Sequence, residues 1–472
     1  MIDNIKKQPT LATLDVKETL EDIAKQLKKV DFQKASYEYM GVKPTKENLT
    51  NAKNLNKTDY KIIFIDRLIT QLRDIGHPIA FFSGHNRLYT GKYWQKLSLG
   101  NLARFLNIAG HKMNVPTLIS RDVDFINKCE KQLQMLCFKQ ENDSQREPLL
   151  NFLNGSLKFS EGKYILTEHS EDNLFTYILP YEYNPEATCD KFLSYLNQVI
   201  PEKDKQLVLS EFLGSIFSNL KHEKILILYG SGGNGKSVFL LISRAAIGEE
   251  NVTSFSLESL TDSSGYYRAG LGNSLLNFAG EISTKVNPDE FKKLASGEPT
   301  TARSPFGRPY EIKDYGRLAF NCNHLPDVTD NSDGYYRRFL IIPFNLTIPL
   351  ANQNKNLANE IIQEELPGIM NWILEGLERL HIQNGFTKCV ASSEILEWYQ
   401  SNGNSIESFI NDSKEIFTKD KFLATDLRQK YLQYCEENDL KPEAKKTFFR
   451  GLTKSELVKK TRVSSGIQYS LN

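Results

Sequence analysis

"ILILYGSGGNGKSVFLLISRAAIG", residues 225–248, decides the reading of the fold. Ile225–Tyr229 is an unbroken apolar run, as in a strand buried on both faces, and the apolar periodicity after Lys236 predicts a helix. Between them stand Gly230, Ser231, Gly232, Gly233, Asn234, Gly235, Lys236 and Ser237, a complete G-x4-G-K-S loop. Glycines there let backbone N–H groups curl around phosphate oxygens. Lys236 is expected to reach the β- and γ-phosphates, and the Ser237 hydroxyl to ligate Mg²⁺. ATP and Mg²⁺ are therefore the expected cofactors. Two fragments suit guanine and γ-phosphate recognition by their letters, "NKTD" (56–59) and "DSSG" (262–265). Neither follows an apolar strand and the first precedes the loop, which leaves ATP the better reading.

Phosphoryl transfer to water also calls for an acidic group at the end of a neighbouring strand. "SLLNFAGEIS" (274–283) supplies one: Leu275–Ala279 reads as a buried strand, and Glu281 follows Gly280 at its tip. Glu281 is expected to activate water and to support Ser237 at the metal. Further on, "SDGYYRRFLIIPF" (332–344) sets two arginines before another apolar, β-branched run. Side chains alternate faces along a strand, so an extended run would point Arg337 and Arg338 apart.

At about 150 residues per domain, 472 residues suggest three, and 40% hydrophobic residues suffice for sizeable cores. Net charge is only +1, so any nucleic-acid surface has to be local. The six cysteines include no CxxC pair and the seven histidines form no ligand-spaced group, which argues against a zinc site or a disulfide framework. No apolar run of 18 residues and no signal-peptide core is present, so a cytoplasmic chain without a membrane partner is expected.

Four segments are read along the chain. Residues 1–60 are polar, with one helical stretch (16–30) carrying Leu20, Ile23, Leu27 and Val30 on a stripe. Residues 61–203 mix a helix ("KIIFIDRLITQLRDIG"), hairpin pieces ("PIAFFSGHNRLYTGKYW") and a strand in "EDNLFTYILPYEYNP", an α+β pattern. Residues 204–380 alternate strands and helices, the α/β pattern, and residues 381–472 turn helical and then Lys-rich.

Residues 291–344 carry the family likeness: "FKKLASGEPTTARSPFGRPYEIK", then "NCNHLP", then "RRFLIIPF". With the phosphate loop and acidic strand end, the segment resembles the superfamily 3 replicative helicases of phages, plasmids, mobile elements and small DNA viruses, which are AAA+ ring motors. The likeness is greatest to the helicase part of phage/plasmid and poxvirus primase-helicases. It implies that Asn323 is a polar sensor of the γ-phosphate or the attacking water; an Asx-turn before Leu325-Pro326 is the alternative. It implies an arginine finger at Arg338 that serves a neighbouring subunit, with Arg337 facing the interface or its own nucleotide. It implies a pore hairpin in which Lys293, Arg303, Arg308 and Lys313 meet a single-strand backbone and Phe306 a base. Ser296 and Glu298 of "ASGE" depart from the family's paired glycines and Asp. The upstream "LLNFLNGSLKFSEGKYIL" and "FTYILPYEYNP" (149–185) resemble the domain that precedes such motors. Residues 1–90 lack paired acidic strands, so a helicase without primer synthesis is expected, with a separate primase as an available partner.

In "ATDLRQKYLQYCEENDLKPEAKKTFFRGLTKSELVKKTRVSSGIQYSLN" (424–472), Thr425 is the expected N-cap of a helix bearing Leu427, Tyr431, Leu432 and Cys435. A second helix and a hairpin follow, which reads as a winged helix. Eight basic and two acidic residues between Lys441 and Arg462 give a local +6. Lys445, Lys446, Arg450, Lys459, Lys460 and Arg462 are the expected duplex contacts. The functional expectation is a hexameric-type helicase that translocates on single-stranded DNA and opens forks during replication of a phage, plasmid or mobile element. The alternative is an ATP-switched origin-binding or loading factor without processive unwinding.

Overall fold

The computed structural model describes residues 16–43, 54–140, 149–160, 163–272, 274–280, 286–304, 307–326, 330, 332–349, 351, 353–403, 405–413, 422–438, 442–454, 458–463 and 466–471. Two compact units divide the chain: Met1–Thr188 with Gln363–Met370, and Cys189–Ile362 with Asn371–Asn472.

The first unit mixes helices with small antiparallel sheets. Helices Val16–Gln26, Lys57–Asp74, Leu99–Lys112 and Val123–Leu136 share one core. The stripe Leu20, Ile23, Leu27 and Val30 is buried in it, although the helix stops at Gln26. "NKTD" proves to be a helix start: Asn56 caps Thr58 and Asp59, and the Asp59 carboxylate accepts the Asn56 N–H, a reciprocal capping box. Strands β1 (Ile79–Phe82), β2 (His85–Tyr89) and β3 (Trp94–Lys96) form one meander; β4 (Leu149–Phe152), β5 (Gly155–Ser160) and β6 (Lys163–Thr167) form another. The strand expected in "EDNLFTYILPYEYNP" is absent. That segment begins as a 3-10 turn, Glu171–Asn173, and then runs irregularly, with single bonds such as Leu179 N–H to Asn151 O and Leu153 N–H to Tyr181 O in place of a ladder.

The second unit is built on a parallel sheet. Its strands are β7 (Ile225–Tyr229), β8 (Val252–Thr253), β9 (Leu276–Ala279), β12 (Arg317–Cys322) and β13 (Phe339–Pro343). They lie in the order β13-β7-β12-β9-β8 with every pairing parallel. Ile225 to Leu228 are fully buried, as a strand covered on both faces requires. Pro343, which cannot donate to a ladder, sits on edge strand β13, where that omission is tolerated. Between β9 and β12 the chain forms a separate hairpin, β10 (Thr300–Arg303) against β11 (Pro309–Ile312). The last segment folds as helix Ser405–Asp412, helix Ala424–Glu437 and helix Lys445–Lys454. With them goes a three-stranded sheet in the order β14 (Phe422–Leu423), β16 (Gly466–Leu471), β15 (Val458–Val463). Leu427, Tyr431 and Cys435 are buried there, but Leu432 is exposed, and Leu423 rather than Thr425 precedes the helix because β14 runs directly into it. Among the described residues no helix is long and apolar enough to cross a membrane.

Two helical glycines, Gly214 at the end of helix Lys203–Ser215 and Gly376 in the C-terminal part of helix Leu357–Gln383, let these helices cross at backbone contact. A Cβ on Gly214 would lie 2.6 Å from Leu377 N, and one on Gly376 would lie 2.7 Å from Glu211 N. Beside the crossing the buried Glu211 carboxylate accepts Arg379 Nε–H at 2.7 Å and the Thr387 N–H at 2.7 Å. Gly376→Ala should therefore destabilise the second unit by about 1–3 kcal/mol through overpacking. Gly100→Ala, where a Cβ meets nothing within 4 Å, is the control in thermal unfolding; equal midpoints for the two variants would contradict the crossing.

Candidate functional site

Strand β7 delivers the chain into the glycine loop, and the loop is tied down from three sides. The Asn234 side chain is buried: its Nδ2 donates to Phe344 O at 3.0 Å, just beyond β13. Ile348 N–H reaches Gly233 O at 2.9 Å, and Tyr195 Oη, from helix Asp190–Val199, donates to Gly235 O at 2.9 Å. Gly235 has φ +88, and a Cβ there would strike Val199 Cγ1 at 2.8 Å, so only glycine fits. Lys236 Nζ donates to Gly230 O (2.6 Å), Ser231 O (3.0 Å) and Asn234 Oδ1 (3.1 Å). Burial holds its ammonium below the ordinary lysine range. Ser231, Gly232, Gly233 and Ser237 are exposed, and helix Lys236–Ile247 starts with no side-chain cap. Open N–H groups at a helix start, a lysine and an exposed hydroxyl form a donor set suited to phosphate and its metal. Tyr195 and Phe344 lie 40 and 110 positions from their loop partners, and no local pattern announces them.

Parallel register assembles the rest of this edge. Cys322, the last residue of β12, pairs with Tyr229, and Gly230 N–H donates to Cys322 O at 3.2 Å, so the exposed Asn323 follows directly beside the loop. Ala279 pairs with Phe320, so β9 ends at the same edge. Glu281 lies outside the described residues. Strand β9 is not the neighbour of β7, as the sequence suggested: β12 stands between them.

The arginine doublet lies at the other end of the sheet, because Phe339 pairs with Ile225 at the start of β7. Five residues at about 3.3 Å each separate it from its own phosphate loop, too far for its own nucleotide. The doublet is not extended either. Arg337 closes the short helix Asp333–Tyr336, and β13 begins only at Phe339, so alternation does not apply. Buried Tyr335 and Tyr336 fix it from one side and Phe339 from the other, with Phe291 stacked on Phe339 at 4.7 Å. The two arginines differ in exposure. Arg338 is buried, its guanidinium donating to Lys292 O (3.2 Å), Ser296 Oγ (2.9 Å) and Gly334 O. Arg337 is exposed and lies 3.4 Å from Glu223. Ser296 of "ASGE" thus holds Arg338, and Gly297 provides the left-handed cap (φ +64) of helix Pro288–Ser296.

On the hairpin, Arg303, Arg308 and Lys313 are exposed, Arg303 with its guanidinium 5.8 Å from the Tyr266 ring. Lys293 is instead paired with Glu290 at 3.1 Å on its own helix, and Phe306 lies outside the described residues. "DSSG" is a turn, the Asp262 carboxylate accepting the N–H groups of Ser264 and Gly265. In the last segment Lys445, Lys446, Arg450, Lys460 and Arg462 are exposed, while the side chain of Lys459 is outside the described set.

Residues 64–201 match the family described as D5 N terminal like, and residues 228–338 match a family of unknown function, DUF5906. The first match contains the 149–185 segment. A protein of Acanthamoeba polyphaga mimivirus named "Putative helicase L207/L206" is 23% identical over 221 residues, 43% of this chain. The match spans 22% of that relative's length. Two apo structures of the NrS-1 C terminal region align over 86% of this chain and 98% of theirs, at 15% identity and TM-scores of 0.47 and 0.48. Neither the D5 N terminal like match nor the mimivirus match spans half of this chain.

The DNA-contacting hairpin that the sequence leads one to expect has a direct test: Arg308→Ala should lower any stimulation of ATPase by single-stranded DNA several-fold more than basal ATPase, whereas Lys293→Ala, whose cation is already paired, should do less. Equal effects of the two variants in a DNA titration would overturn that expectation.

Proposed function

We propose that this chain is an ATP-driven DNA helicase of the superfamily 3, AAA+ type, working as a ring in replication of a phage, plasmid or mobile genetic element. The observation that carries the proposal is that residues suited to the two halves of a hydrolysis site stand at opposite ends of the sheet. The glycine loop, Lys236, Ser237 and Asn323 gather at one edge, and the exposed Arg337 stands at the other. Transition-state charge on a transferred phosphoryl group is stabilised by an arginine brought from outside. A second copy would supply it.

In this reading Lys236 exchanges its carbonyl acceptors for phosphate oxygens, and Asn323 orients the attacking water. Glu281 takes the proton. Mg²⁺, when bound, neutralises phosphate charge, and Ser237 would hold it with Glu281 in support; among the described residues no group of three His, Cys, Asp or Glu side chains forms a metal cage of its own. Arg337, not Arg338, is the group offered to the neighbour, and Arg338 keeps its backbone in place. Arg303, Arg308 and Lys313 track single-stranded DNA. Helices Ala424–Glu437 and Lys445–Lys454 and the three-stranded sheet of the last segment act as a winged helix, with Lys445, Lys446, Arg450, Lys460 and Arg462 on duplex phosphates. Forked DNA, further copies of the chain and a separate primase are the proposed partners.

Forked DNA with a single-stranded tail should be separated only with ATP, and Lys236→Ala should abolish both separation and ATP hydrolysis. Fork binding without separation by the wild-type chain would favour an ATP-switched loading factor instead. Arg337→Ala should reduce ATPase by about 10³-fold. Mixed with Lys236→Ala, it should recover activity at mixed contacts; no recovery from particles of unchanged mass would rule out a shared site.

A further inference from the structure

Residues 220–225, which lead into β7, form a strap across the end of the sheet that holds the arginine doublet. Leu220 O accepts Arg317 Nη2–H at 2.6 Å, and Lys221 Nζ donates to Gly297 O at 2.6 Å. Lys224 Nζ donates to Arg337 O at 2.6 Å, and Ile225 N–H to Arg338 O at 2.8 Å. Inside the strap Glu223 adopts φ +51, a left-handed conformation uphill for a glutamate. Such a residue persists where its surroundings over-determine it, and it gathers at functional places. Its carboxylate lies 3.4 Å from Arg337 Nη2 and 3.8 Å from Arg338 Nη2.

We infer that Glu223 is a positioning residue that aims Arg337 at the phosphate site of a neighbouring copy; the inference rests on the shared-site reading above. A surface ion pair contributes little to stability, so stability alone does not explain a strained backbone at this point. One contact to Nη2 leaves the other N–H groups of the guanidinium for phosphate oxygens. Lys224 fixes the backbone of Arg337 while Glu223 fixes its head. Arg338, buried on Ser296 and Lys292, gives the carboxylate a second cation that does not move.

The test uses the full chain with single-stranded DNA and two variants, Glu223→Gln and Glu223→Gly. Both should lower kcat on the order of tenfold, with the KM for ATP changed by less than about twofold and particle mass unchanged. Glu223→Gly should unfold no earlier than wild type, because glycine accepts φ > 0 freely. A slower enzyme on an equally stable fold is a result that a purely structural role would not give. Adding Glu223→Gln to Arg337→Ala should cost nothing further. If Arg337→Ala loses activity and Glu223→Gln does not, Glu223 is excluded and the shared site stands. A rise in kcat would mean that the carboxylate holds Arg337 back, and additive losses that it acts on something else; either overturns the inference. Full activity in Arg337→Ala would remove the shared site and the inference together.

Discussion

Every strand of the central sheet runs the same way, and this one constraint sorts the chemistry of the second unit. Whatever follows a strand leaves at one edge, and whatever precedes it arrives at the other. The glycine loop after β7 and Asn323 after β12 are therefore neighbours without any contact designed between them. By the same register Arg337 and Arg338, ahead of β13, stand with Glu223 and Lys224, ahead of β7. Ligands of open α/β sheets collect outside the carboxyl ends of the strands, and here the chain leaves β7 and its neighbour β12 in opposite directions along the sheet, toward β8 and toward β13.

A loop of glycines needs external restraint if it is to keep one shape. Here the restraint is a buried amide: Asn234 takes Phe344 O on one side and Lys236 Nζ on the other. A buried polar group that satisfies both its donor and its acceptor gives up little of what it had in water. It also links the loop to β13, the strand that carries the arginine doublet at its far end. The arginine end is held by aromatic packing instead, with Tyr335, Tyr336 and Phe339 buried on the two sides of the doublet along the chain.

The strand-loop-helix setting of the glycine loop was legible because its pattern sits in eight consecutive residues with their own strand and helix. The place of Asn323 was legible for a similar reason, as the residue after a short apolar strand. The doublet was misread because alternation holds only along extended chain, and burial of Tyr335 and Tyr336 curls the preceding turn into a helix. "NKTD" shows that the letters of a binding motif can also spell a helix start, since Asn at the cap and an acid three residues on satisfy each other's N–H groups. Tyr195 and the Gly214–Gly376 crossing left no local trace: each depends on a partner more than 35 positions away, and a glycine within a helix looks like a flaw until its neighbour is in view. The irregular run after Asn173 had strand-like composition, but its hydrogen bonds go singly to scattered acceptors.

In the proposed ring, with a phosphate loop at one edge of the sheet and an exposed arginine at the other, each copy would carry two halves of different sites. An open row of copies joined edge to edge would then always have one site fewer than it has members. Closure would complete the last site without adding a chain, so the step that encircles a strand would also be the step that makes every member of the assembly equivalent.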